Sequence, residues 1–196
     1  MKKHYILILF PVLILLSCGQ TNKLSESDRL WMPYKGNEML VFKSNTGDID
    51  TIFFIRKDTL WGYPDPALST NKYEEVAIFS KHSDPYAIDG HRYLESYFLK
   101  IKKTISGKAE LVIGLSAKDA KFYRLSPIKI DSLNKVKPVT LQTTYGQHDD
   151  VYEIQTDDYG KDFYNRSNFV TKLYWSKSSG LLRYDKKDGV YWVLLK

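Results

Sequence analysis

A single cysteine, Cys18, is all that 196 residues contain, so no intrachain disulfide can form and the fold must be held by its core. Long apolar runs are also missing. The longest, Tyr5 to Leu16, is 12 residues broken only by Pro11. As a helix it would cover about 18 Å, well short of the ~30 Å hydrocarbon core of a bilayer, which argues against a permanent transmembrane helix. No window carries a helical apolar repeat over three turns, and there is neither an internal repeat nor a low-complexity segment. Charge of one sign is not concentrated either. The formal net charge is +6, scattered along the chain, and so mild an excess argues against nucleic-acid binding.

Catalytic signatures are equally scarce. Gly114-Leu115-Ser116-Ala117-Lys118 lacks the second glycine of a nucleophile elbow. A Ser-x-x-Lys pattern occurs three times, at Ser69/Lys72, Ser126/Lys129 and Ser132/Lys135. None starts a predicted helix, and no Lys-Thr-Gly partner exists. Phosphate-cradling glycine loops, dinucleotide fingerprints and zinc-protease helices are absent. His82, His91 and His148 are not paired at a metal-ligand spacing. His148-Asp149-Asp150 and Asp157-Asp158 flank a short strand, Val151 to Gln155, but without the spacing of a calcium loop they read as solvated turn carboxylates. No catalytic, cofactor-binding or metal-ligating residue is assigned, and the enzyme reading is the least supported.

What is present begins at the N-terminus. Lys2 and Lys3 precede the apolar run, which ends in Leu15-Leu16-Ser17-Cys18. This arrangement resembles the lipobox of bacterial lipoproteins, in which the signal peptide is removed just before a cysteine that carries lipid. The resemblance implies residues 1–17 as a lipoprotein signal peptide and Cys18 as the lipidation site, leaving a mature chain of 179 residues. Without Lys2 and Lys3 that chain has 27 basic against 23 acidic residues, a net of +4. Gly19 to Asp28 is polar, with one isolated leucine, and together with Cys18 reads as a flexible tether over residues 18–28. Ten such residues would reach roughly 17–19 Å.

From residue 29 to 196 the pattern is of strand type, in a length that suits one domain. Val139, Leu141 and Tyr145 alternate with Thr140, Gln142 and Thr144. Leu111, Ile113 and Leu115 alternate likewise. Tyr97, Leu99 and Ile101 face away from Phe98, Lys100 and Lys102. Met39 to Phe42 and Ile49 to Ile55 are apolar enough to suggest strands covered on both sides. Ser44 to Asp48, Tyr145 to Asp150, Ser178-Ser179-Gly180 and Lys186 to Gly189 supply turn chemistry between the runs. Only Ser25 to Trp31, with Asp28 three residues after Ser25, suggests a helical turn, and it ends by Pro33. The expected fold is therefore all-β: a single antiparallel barrel-like or strongly curved sheet with little helix outside the signal peptide. Trp31, Trp61, Trp175 and Trp192 lie in or beside strand-like runs and read as core or sheet-edge residues, the alternative being that some line a concave apolar cavity or a sugar-stacking platform. Trp192 is expected to close the C-terminal hairpins, where Leu173 and Trp175, then Leu182 and Tyr184, then Val190, Trp192 and Leu194 alternate.

Two further stretches carry a resemblance. Leu30-Trp-Met-Pro-Tyr-Lys-Gly-Asn37 with Leu40 to Asp48 and Asp50-Thr-Ile52, and the closing Tyr174 to Tyr184 with Gly189-Val-Tyr-Trp192, are similar to small uncharacterised lipoproteins of the Bacteroidota. The resemblance implies an outer-membrane lipoprotein. Gly19-Gln20-Thr21-Asn22-Lys23 lacks the acidic residues of many surface-exported relatives, which favours a periplasm-facing anchor. Asp50-Thr51-Ile52, Asp58-Thr59-Leu60 and Asp131-Ser132-Leu133 look like O-glycosylation sites of that phylum and equally like strand-edge residues. The implied partners are the membrane, through Cys18, and an unknown protein or envelope component bound by a non-enzymatic module. The alternative is a carrier of an apolar, lipid-like ligand in a curved-sheet cavity.

Overall fold

The computed structural model describes residues 19–64, 70–82, 87–88, 91–92, 96–117, 120–122, 124, 126–157, 165–167 and 169–195. Cys18, residues 1–17, Ser69 and Asp158 lie outside them, as do the side chains of His82 and His91. The structure is 57% strand and 6% helical, which establishes the β class read from the sequence. In chain order the strands are β1 (Thr21–Asn22), β2 (Met39–Ser44), β3 (Ile49–Gly62), β4 (Lys72–His82), β5 (Ala87–Ile88), β6 (His91–Arg92), β7 (Ser96–Lys103) and β8 (Ala109–Ile113). They continue as β9 (Ser116–Ala117), β10 (Ala120–Lys121), β11 (Ile128–Lys129), β12 (Val139–Thr143), β13 (Gly146–Gln155), β14 (Val170–Ser176), β15 (Gly180–Lys186) and β16 (Tyr191–Leu194). The described residues also form two single-turn helices, α1 (Glu26–Arg29) and α2 (Ile130–Leu133). No helix among the described residues is long and apolar enough to cross a membrane.

One antiparallel sheet curls into a half-barrel in the order β11-β8-β7-β4-β3-β2-β16-β15-β14-β13-β12. Consecutive strands are mostly neighbours because short turns join them. Among the non-consecutive pairings, β16 returns from the C-terminal hairpins to pair with β2 and joins the two halves of the sheet. Cross-strand partners share a face, so the register shows the core directly. Val76, Ile101 and Leu111 form one inward row, Ile78, Leu99 and Ile113 a second, and Ile154, Leu173, Tyr184 and Trp192 a third across four strands. All ten are buried, each such side chain gaining about 1.5–3 kcal/mol on leaving water. Among the described residues the curled sheet does not close by a ladder. β11 pairs only with β8 and β12 only with β13, and α2 with residues 134–138 carries the chain from one edge to the other.

Three expectations are corrected. Residues 19–28 do not form a free tether. β1 adds to β4 in parallel, Leu24 is buried, and Ser25 caps α1 through a reciprocal box with Asp28. Second, Met39 to Phe42 and Ile49 to Ile55 are buried on one face only. Leu40, Phe42, Ile52 and Phe54 point inward, while Met39, Ile49, Phe53 and Ile55 are exposed. Third, Phe98 is fully buried although Tyr97 is exposed, because the β4–β7 register shifts between Ile78 and Phe79 and reverses the alternation there. The helical turn read at Ser25 is present as α1. The turn α2 has no such cap and carried no sequence signal.

Candidate functional site

The concave face of the half-barrel is occupied by the chain itself. After Leu24, the segment up to Glu38 crosses the inside of the sheet as a strap. Trp31, Met32 and Tyr34 from this strap belong to the same core cluster as the strand residues. Tyr34 packs edge-on against Phe54, Phe98 and Trp175, with ring centroids 4.7, 5.9 and 5.9 Å away, so one side chain touches both halves of the sheet. Its hydroxyl accepts a hydrogen bond from the Leu181 amide at 2.7 Å, and burial pushes its phenol well above the ordinary tyrosine range. Lys57 Nζ donates to the Tyr34 carbonyl at 2.8 Å, and burial holds that lysine below its usual value. Gly36 lies so close to the Lys57 backbone that a Cβ there would come within 2.6 Å of its nitrogen.

Polar contacts fasten the strap at both ends. Glu74, buried, accepts from the Leu24 amide at 2.8 Å and pairs with Arg29. Asp28 pairs with Lys103 at 2.6 Å. Burial opposes the Asp28 charge, but Lys103 and Ser25 outweigh it and hold the carboxyl below its usual range. Glu38 is likewise lowered, its burial outweighed by the amides of Lys35, Gly36 and Asn37.

The element that the core does not account for is the β12–β13 hairpin. β13 pairs with β14 only from Val151 to Gln155, and with β12 from Gly146 to Val151. The hairpin is therefore a two-stranded ribbon projecting past the sheet edge. Its side chains from Val139 to Asp150 are all exposed or half-buried, with Tyr145 at the tip 68% exposed. Such a ribbon is marginal in water by itself, and here polar pairs support it. Thr140 and Gln147 both donate to Asp149, at 2.9 and 2.7 Å, and Thr143 donates to the Gly146 carbonyl. At its base, Asp150 accepts from the Ser176 hydroxyl and the Ser178 amide, tying the ribbon to the β14–β15 turn. Burial acts against the Asp150 charge, and these donors prevail, lowering its pKa.

The three lowered carboxylates set a pH dependence. Each binds its proton less readily folded than unfolded, so its contribution to stability is complete above the ordinary carboxylate range and is lost as pH falls through the native value. The urea midpoint is thus expected to hold from pH 7 to about 5 and drop below about pH 4, with Asp150→Asn shallowing the drop. A midpoint unchanged at pH 3 would contradict this assignment.

A second feature is a groove of about 350 Å³ along the unclosed seam, bordered by Arg124, Ser126, Lys129, Leu133, Val136 and Ile154. Arg124 donates to the Gln155 carbonyl at 2.6 Å and the Ser126 amide to Asp157 at 2.8 Å, so loop contacts replace a strand ladder there. Ser126, Lys129 and Ser132 of the Ser-x-x-Lys patterns line this groove, whose floor Leu133 and Ile154 make apolar.

The remaining sequence candidates are dispersed. Trp31, Trp175 and Trp192 are buried in the core, and only Trp61 is exposed, at 39%. Among the described residues no three His, Cys, Asp or Glu side chains converge as metal ligands. Thr51 and Thr59 lie within β3 and Ser132 in α2. Comparison with protein-family models, curated proteins and solved structures gives no match.

Proposed function

We propose that this chain is a lipid-anchored cell-envelope protein, held at Cys18 in the outer membrane facing the periplasm, that binds a protein partner without catalysing a reaction. The anchor rests on Lys2-Lys3, the short apolar run and Leu15-Leu16-Ser17-Cys18. The binding role rests on one observation, the projecting β12–β13 ribbon. Val139 to Thr143 contains no charged residue and no proline, and its outer edge has no partner strand among the described residues. Natural sheets usually blunt such an edge with charge or proline, and an unblunted one suits strand addition by an extended segment of another protein. Main-chain bonds would supply affinity, and the exposed Val139 and Tyr145 with the half-buried Leu141 would supply choice. The strap fills the concave face with Leu24, Trp31, Met32 and Tyr34, which weighs against the carrier alternative.

The test places a photo-crosslinking amino acid at Tyr145 in the full chain in cells. A discrete protein adduct is expected, and Val139→Lys with Leu141→Lys should abolish it without moving the melting temperature, since both side chains are outside the core. An absent adduct, or one that survives the double change, would overturn the ribbon as the binding element.

A further inference from the structure

The stretch read as a flexible tether is instead docked onto the sheet from its first described residue. Gly19 packs so tightly on Thr70 that a Cβ would lie 2.2 Å from its carbonyl oxygen. The Gln20 amide donates to Asn71 Oδ1 at 2.7 Å, and the Gln20 carbonyl accepts from the Lys72 amide at 2.9 Å. Thr21 and Asn22 then pair with Lys72 and Tyr73, and Asn22 Nδ2 donates to the carbonyls of Thr104 and Ile105 at the β7–β8 turn. Cys18 is joined by one peptide bond to Gly19, a residue fixed to the sheet. An anchor on Cys18 would bring this rim of the half-barrel to the bilayer and leave almost no slack.

The chemistry of that rim suits a lipid headgroup layer. Leu60, Trp61 and Tyr63 at the end of β3, and Ile105 at the β7–β8 turn, are exposed. Lys72, opposite Thr21, holds its ammonium 4.6 Å over the Trp61 ring. Lys23 and Lys108 stand exposed on the neighbouring segments. Tryptophan and tyrosine prefer the membrane–water interface, where the ring is half apolar and half wet, and lysines favour anionic headgroups. A second membrane contact also adds to what acyl chains supply.

We infer that the rim formed by Leu60, Trp61, Tyr63 and Ile105 is a membrane-contact face, which the docked 19–24 segment presses onto the bilayer so that the domain stands in one orientation. This rests on the lipid-anchor reading. The ribbon is an independent matter.

The full chain, expressed with its own leader, is purified in detergent and reconstituted into phosphatidylethanolamine–phosphatidylglycerol vesicles with plain or brominated acyl chains. Flotation and the mass of the N-terminal peptide report the anchor, and tryptophan quenching by bromolipid reports the contact. Because Trp31, Trp175 and Trp192 are buried, quenching must come from Trp61. Quenching is expected in the wild-type chain and lost in Trp61→Phe, and it should weaken when a glycine–serine spacer is inserted after Cys18. Cys18→Ala should no longer float. If the lipidated chain floats but its emission is the same in both vesicles, the contact face is wrong and the anchor stands. If the chain carries no lipid yet floats with Trp61 quenched, the contact stands and the anchor reading fails. If it carries no lipid and does not float, both fall.

Discussion

Tyr34→Ala is expected to lower the unfolding free energy by about 3–5 kcal/mol, the usual cost of truncating a large buried aromatic. That is a large share of the ~5–15 kcal/mol that holds a typical domain. The effect follows from where the ring sits. It is buried among Phe54, Phe98 and Trp175, which come from β3, β7 and β14, so its loss opens a cavity between the two halves of the half-barrel. Tyr34→Phe separates packing from polarity. It keeps the ring but leaves the Leu181 amide without its acceptor, at a cost of about 1–3 kcal/mol. Gly180 gives an independent check on the same contact. It has φ of +81°, and a Cβ there would lie 2.0 Å from the Tyr34 hydroxyl, so Gly180→Ala is disfavoured by both backbone and space. Urea denaturation of the three variants measures these differences. A Tyr34→Ala midpoint equal to wild type would show that the strap is not part of the cooperative core.

Trp192→Ala should cost a comparable ~3–5 kcal/mol, for a different reason. Trp192 is buried on β16, stacked on Tyr184 with centroids 6.0 Å apart and planes 14° from parallel. Among the described residues, β16 links the C-terminal hairpins to the rest of the main sheet's ladder, pairing with β2 over Trp192, Val193 and Leu194, with backbone bonds from Asn45 to Tyr191 and from Leu195 to Val41 at the two ends. Loss of the indole therefore weakens the junction between the halves as well as leaving a void. Trp192→Phe should be much milder. The indole N–H has no hydrogen-bond partner among the described residues, so phenylalanine retains most of the packing and removes a buried donor that is already unpaired. Trp61→Ala is the control: exposed on the rim, it should change stability by no more than about 0.5–1 kcal/mol. If Trp192→Ala melts with wild type, the residue lines a surface and not the core.

Trp192 was legible as core because its neighbours alternate over three consecutive strands joined by glycine turns. The whole β class rests on that same local signal. The capping box at Ser25 and Asp28 was legible for an equally local reason, since both partners lie within one helical turn. Other features had no local signature. The projecting ribbon and a half-buried hairpin show the same alternation of Val139, Leu141 and Tyr145 with polar residues, so only the point where β14 stops pairing distinguishes them.

Sequence alone determined the absence of disulfides, the β class and the apolar faces of most strands, because each follows from composition or from a period-two pattern within one segment. Tertiary structure alone decided that 19–28 is docked, that the strap fills the concave face, and that Phe98 points inward. Leu24 is held by Glu74, Asp28 by Lys103 and Tyr34 by Leu181, partners 50, 75 and 147 residues away. A polar segment with one leucine reads as solvent-borne until a distant strand supplies the acceptor, the cation and the apolar wall that make its burial favourable.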